Sequence, residues 1–99
     1  MNIKVANEGE RTTLFLSGSI DIPSAESLKK RLQEEAKPEV KEIIVDFNEV
    51  DSIGSSAIGA LLLSHKDFSA RGINFQVVNI NKEIKELFKI IKLDKIFNI

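Results

Sequence analysis

The sequence predicts an α/β fold in one domain, residues 1–99, with a mixed, mostly parallel sheet of four to five strands and helices packed mainly on one face. Three observations point to it. Two β-rich segments at the start are separated by a turn-like Asn7-Glu8-Gly9-Glu10, which reads as an antiparallel hairpin. After them, strand-like and helix-like apolar periods alternate, and that alternation implies parallel strands joined by right-handed crossovers. Leu28, Leu32, Ile58, Leu61 and Leu62 also need a common apolar surface, which a single sheet face supplies.

In chain order, Asn2 to Ala6 alternates polar and apolar residues, and Thr12 to Leu16 is β-rich around Leu14, Phe15 and Leu16. Past Gly18 the chain enters a helix at Ile20-Asp21-Ile22-Pro23-Ser24. Pro23 presets a helical φ there, and Glu26 brings negative charge toward the positive dipole end. Leu28, Leu32 and Ala36 line one side of this helix, Lys29, Lys30, Arg31, Glu34 and Glu35 read as its solvated face, and Pro38 ends it. Ile43, Ile44, Val45 and Phe47 form a β-branched and aromatic run of the kind a strand covered on both faces carries. A polar turn follows.

From Ser56 the period becomes helical through Ile58, Leu61, Leu62, His65 and Phe68, and Arg71-Gly72 closes that helix. Ile73, Phe75, Val77, Val78 and Ile80 give another strand, and Ile84, Leu87, Phe88 and Ile91 an amphipathic helix over about residues 83–92. Lys95 to Ile99 reads as a last short strand or a docked tail. The order is ββαβαβα with an optional terminal β.

Composition narrows the function classes. The 99 residues are 42% hydrophobic, which sustains one core, and the net charge of −1 gives no strong field toward nucleic acid or membrane. There is no cysteine, no basic-then-apolar leader and no apolar run long enough for a bilayer, so the expected location is cytoplasmic. No metal or cofactor is expected: the one histidine, His65, lies on an apolar helical stripe and reads as a packing residue. Gly54-Ser55-Ser56-Ala57 is neither a nucleophile elbow nor a phosphate loop, and His65 lies more than two helical turns from either serine, so the expectation is a protein that is not an enzyme. Ser55 and Ser56 nonetheless stand at a helix start, where N–H groups and the dipole favour a capping oxygen or an added phosphate.

Residues 46–62, DFNEVDSIGSSAIGALL, resemble the signature of the STAS family, the sulphate transporter and anti-sigma factor antagonist domains, and align with it without a gap. A second stretch, Gly18-Ser19-Ile20-Asp21-Ile22-Pro23-Ser24-Ala25, is similar to the motif those domains carry before their first helix. The resemblance covers essentially the whole chain. It implies an anti-sigma factor antagonist whose phosphorylation site is Ser56 and whose partner surface includes Asp21, Ser24, Gly54, Ser55, Ser56, Ala57 and Ile58. The implied partners are an anti-sigma factor serine protein kinase and a serine phosphatase, with no direct contact to nucleic acid or membrane and a monomeric free state. At two positions the chain departs from the pattern: Gly54 stands where the family has Asp, and Ala57 where it has Gly. The first departure removes a negative charge beside Ser56. The alternative is a STAS scaffold in another assembly, such as a lipid-transport or signalling complex, docking constitutively through the same helix start.

Overall fold

The computed structural model describes all residues, Met1–Ile99. Its elements run β1 (Asn2–Glu8), β2 (Arg11–Ile20), α1 (Ile22–Glu35), β3 (Glu42–Ile53), α2 (Ser55–Ala70), β4 (Asn74–Val78) and α3 (Lys82–Ile90). The predicted order ββαβαβα is the observed one, with four strands. β1 and β2 pair antiparallel through a two-residue turn at Gly9-Glu10, where Gly9 supplies a φ of 65° that a side-chain-bearing residue rarely adopts. β2 pairs parallel with β3, and β3 parallel with β4, so the sheet order is β1-β2-β3-β4.

Neighbouring strands joined in sequence by crossovers of one hand place the crossover helices on one face. Burial records that asymmetry. Leu14 and Leu16 of β2, Ile43, Val45 and Phe47 of β3, and Phe75 and Val77 of β4 are buried, whereas the alternating residues Thr13, Phe15, Ile44, Asp46, Gln76 and Val78 are half-buried or exposed. The expectation that Ile43 to Phe47 is covered on both faces is therefore corrected: no helix lies over the second face. A side-chain network occupies part of it instead, with Glu42 accepting from Arg11 Nε at 2.6 Å, Asn74 Nδ2 at 3.0 Å and Gln76 Nε2 at 3.3 Å.

The polar turn expected after Phe47 is a second correction. The strand continues to Ile53 because the ladder with β2 resumes as Ser17↔Glu49, Gly18↔Val50 and Ile20↔Ile53, after two register shifts that each insert one extra residue in β3. The first shift turns both Phe47 and Val50 into the core, and the Asp46 carboxylate accepts from the Asn48 N–H at 2.8 Å where the regular ladder is broken. β4 pairs only as far as Asp46↔Val78. Beyond that point the Asn81 amide donates to the Val50 and Asp51 carbonyls at 3.2 and 3.3 Å, while its oxygen caps α3 by accepting from Ile84 N–H at 2.8 Å.

α1 and α2 pack on each other and on the sheet through Ala25, Leu28 and Leu32 of α1 and Ala57, Ala60, Leu61, Ser64 and Phe68 of α2. Of the predicted α2 stripe, Ile58, Leu62 and His65 are only half-buried, because the small residues Ala57, Ala60 and Ser64 turn inward. At the far end of the helix pair, the Arg71 guanidinium donates to Asp67 Oδ2 at 3.2 Å and to the Ala36 carbonyl at 3.1 Å, so it caps α1 from the end of α2. Gly72, at φ 75°, lets Ile73 N–H bond back to Phe68 O at 2.8 Å and close α2. The C-terminal residues are a docked tail of turns and not a strand. Phe97 is buried there, with its ring 5.5 Å from His65 and 5.7 Å from Phe88.

Candidate functional site

The end of β2 and the end of β3 launch the two long helices side by side. Gly54 N–H donates to Ile20 O at 3.2 Å, which ties the residue before α2 to the residue before Asp21. One pair further back, Ser52 Oγ donates to Ser19 Oγ at 3.1 Å. The two motifs that the sequence singles out, residues 18–25 and 46–62, thus converge at one end of the sheet.

Asp21 is the N-cap of α1: its extended backbone precedes Ile22, and its carboxylate accepts from Ser24 N–H at 3.0 Å. This is the acidic group at the helix start, since Glu26 falls beyond the first turn. The Ser24 side chain and backbone N–H together hold the Asp21 carboxyl below the usual carboxylate range. A carboxylate with a lowered folded value adds stability that is present above its unfolded value and is lost as pH falls through the folded one. Asp21→Ala is accordingly expected to lower the melting temperature at neutral pH, with the gap to the parent narrowing under acid once the parent's own carboxylate is protonated. Thermal melts of both proteins between pH 7 and pH 2 check it; a gap of constant size over that range would contradict a charged cap.

Helix α2 begins differently. Its N-cap is Gly54, with φ −99° and ψ 176°, so no side chain caps the helix. Ala57 N–H turns back to Gly54 O at 3.1 Å. Ser55 and Ser56 are therefore first-turn residues and not caps. Gly54 needs no left-handed backbone, and a Cβ placed on it meets only Ile20 O at 3.8 Å, an ordinary contact. The position is open to a larger residue, including the family carboxylate.

The helix phase separates the two hydroxyl residues. Ser55 is exposed, whereas Ser56 is half-buried and lines a cleft of about 230 Å³ between α1 and α2 together with Ala25, Glu26, Lys29, Gly59, Ala60 and Leu63. Among the other residues in the implied partner surface, Gly54 is exposed, Ser24 and Ile58 are half-buried, and Ala57 is 0% exposed. Ala57 is thus corrected from a surface residue to a core residue: it belongs to the hydrophobic core cluster and has no area to offer a partner. Sequence periodicity did not single out Glu26, Lys29 or Leu63. Leu63 is 56% exposed at the cleft and lies in an unbroken Leu61-Leu62-Leu63 run, where composition does not say which leucine faces out. No helix is long and apolar enough to cross a membrane.

Solved structures share this fold. An anti-sigma factor antagonist from Mycobacterium paratuberculosis superposes with a TM-score of 0.85 at 20% identity, covering 97% of this chain and 81% of that one. The Bacillus cell fate determinant SpoIIAA in its phosphorylated form gives 0.77 at 18% identity, over 95% and 86% of the two chains. A sulfate transporter family protein from Wolinella succinogenes gives 0.77 at 15% identity, over 89% and 71%. Identities this low carry the fold alone. Family membership rests on the STAS domain model, which matches residues 2–99. With the fold and both motifs in place across that length, the chain belongs to the STAS domain family.

Proposed function

We propose that this domain is an anti-sigma factor antagonist, a binding module switched by phosphorylation at Ser56 and not a catalyst. The observation that carries the reading is the placement of Ser56: a hydroxyl in the uncapped first turn of α2, at the mouth of a cleft and beside the start of α1. The likeness in fold to antagonists, one of them solved in a phosphorylated form, supports it. In this mechanism the unmodified domain binds an anti-sigma factor serine kinase through the α1 and α2 starts and keeps it from its sigma factor. The kinase transfers the γ-phosphoryl group of ATP to Ser56 Oγ. An Oγ–P bond forms, the bond from that phosphorus to the bridging oxygen of ADP breaks, and the serine proton passes to a base of the kinase.

The added charge of about −1.5 to −2 suits a helix N-terminus, so the fold persists. The kinase surface, packed against that end, must desolvate the phosphate or withdraw. A serine phosphatase resets the domain. Transcription from the sigma-dependent promoters is regulated by this cycle, which takes place in the cytoplasm.

The second reading is a STAS scaffold that docks constitutively in another assembly, and Gly54 in place of a carboxylate favours it. One experiment separates the two. The unmodified protein is used to recover its partner, and the partner is then assayed as a kinase on this chain. The expected result is a single phosphate localised by mass spectrometry to Ser56, lost in Ser56→Ala while kinase binding is retained. Label on Ser52 or Ser55, or undiminished label on the alanine variant, would overturn the assignment.

A further inference from the structure

Every charge that faces the cleft comes from α1. Glu26 and Lys29 line it, three residues apart on one helical face, while α2 carries no Asp, Glu, Lys or Arg before Lys66. Asp21, at the start of α1, is committed to its cap. Lys29 has no ion-pair partner: the salt bridges of the molecule are Arg11–Glu42, Arg31–Glu35 and Arg71–Asp67. Glu26 is likewise unpaired. The cleft is therefore neutral in sum, and its cation is free to accept an anion. Space is available for one. Gly59 lies one turn beyond Ser56, and a Cβ built on it meets nothing within 4 Å.

Resting on the reading of Ser56 as phosphoacceptor, we propose that Lys29 is the intramolecular counter-ion of the phosphate, so that the modified Ser56 bridges the cleft and staples α1 to α2. Lysine suits the role, because its ammonium is a point charge on a flexible stem that can follow a phosphate oxygen without a fixed fork geometry. Glu26 is exposed, so its carboxylate has water to turn into and need not stay beside the phosphate. The staple does two things. It gives the phosphorylated domain a stability that the unmodified one lacks, and it withdraws the Lys29 charge from the surface that meets a partner.

The test needs no kinase. The full chain is made with phosphoserine installed at position 56 by genetic-code expansion, in the parent, Lys29→Gln, Lys29→Arg and Lys30→Gln backgrounds. Lys30 carries the same charge one residue along but does not line the cleft. In the parent, phosphorylation is expected to raise the melting temperature by roughly 4 °C, the shift that about 1 kcal/mol gives in a domain of this size. It should also bring the phosphate's second pKa, read by phosphorus NMR at 0.15 M salt, below its ordinary value of about 6.

Lys29→Gln should remove most of the melting shift and return the pKa toward that obtained from the helix end alone. Lys29→Arg should retain both effects, and Lys30→Gln should leave both unchanged. Equal losses in Lys29→Gln and Lys30→Gln would reduce the effect to the general field of the helix and overturn the proposal, as would no loss in either. Failure of any kinase to label Ser56 would sink the antagonist reading without touching this result, so the two fail separately.

Discussion

Phe47→Ala is expected to destabilise the domain by about 3–5 kcal/mol, the range for deleting a fully buried aromatic side chain. Phe47 is 0% exposed and sits on the inward turn created by the first β3 register shift, where it and Val50 both enter the core. Against a total stability of about 5–15 kcal/mol for a domain of ordinary size, that loss removes a large part of the margin. The melting temperature should fall by more than about 12 °C. The companion substitution is Phe15→Ala. Phe15 pairs with Asp46 on the uncovered sheet face and is 45% exposed, so its removal should cost less than about 1 kcal/mol. Urea denaturation followed by circular dichroism reads both. Equal losses would mean that the second sheet face is covered after all, and the one-sided architecture would be wrong.

That contrast also marks where the sequence is legible and where it is not. The alternation of periods gave the element order directly, and Pro23 marked the start of α1 because its fixed φ is chemistry local to one residue. The sidedness of β3 was not legible. Ile43-Ile44-Val45 reads the same whether one face or two are covered, and only the sheet order β1-β2-β3-β4 decides that Ile44 is left out. The stretch after Phe47 reads as a turn because strand propensity is weak for Asn48, Glu49, Asp51 and Ser52. Pairing with β2 and the Asn81 amide, both distant in sequence, hold them extended.

At the candidate site, the motifs located the helix start, but helix phase decided that Ser56 and not Ser55 lines the cleft. In the sequence Lys29 reads as one of several solvated charges of α1. Its place in the same cleft as Ser56 comes from the packing of two helices, which the period of either helix alone does not contain.

The larger functional effect is expected at Ser56 itself. Ser56→Asp should stay within about 1 kcal/mol of the parent in stability, since a carboxylate in the first turn of a helix is neutral to mildly favourable. Its affinity for the cognate kinase should fall tenfold or more, equivalent to about 1.4 kcal/mol or greater at a desolvated contact. Aspartate carries about half the charge of a phosphate, so the phosphorylated protein should show the stronger loss. Gly54→Asp then isolates the missing family carboxylate. With residue 54 at φ −99° and no contact nearer than 3.8 Å at the new Cβ, the substitution should leave stability unchanged or raise it by a few tenths of a kcal/mol through capping. A change in phosphorylation rate in that variant is then a charge effect and not a folding effect. Calorimetric titration of the kinase with parent, Ser56→Asp and phosphorylated chains reads the switch. Equal affinities for all three, each fully folded, would remove the switch and leave a constitutive docking domain.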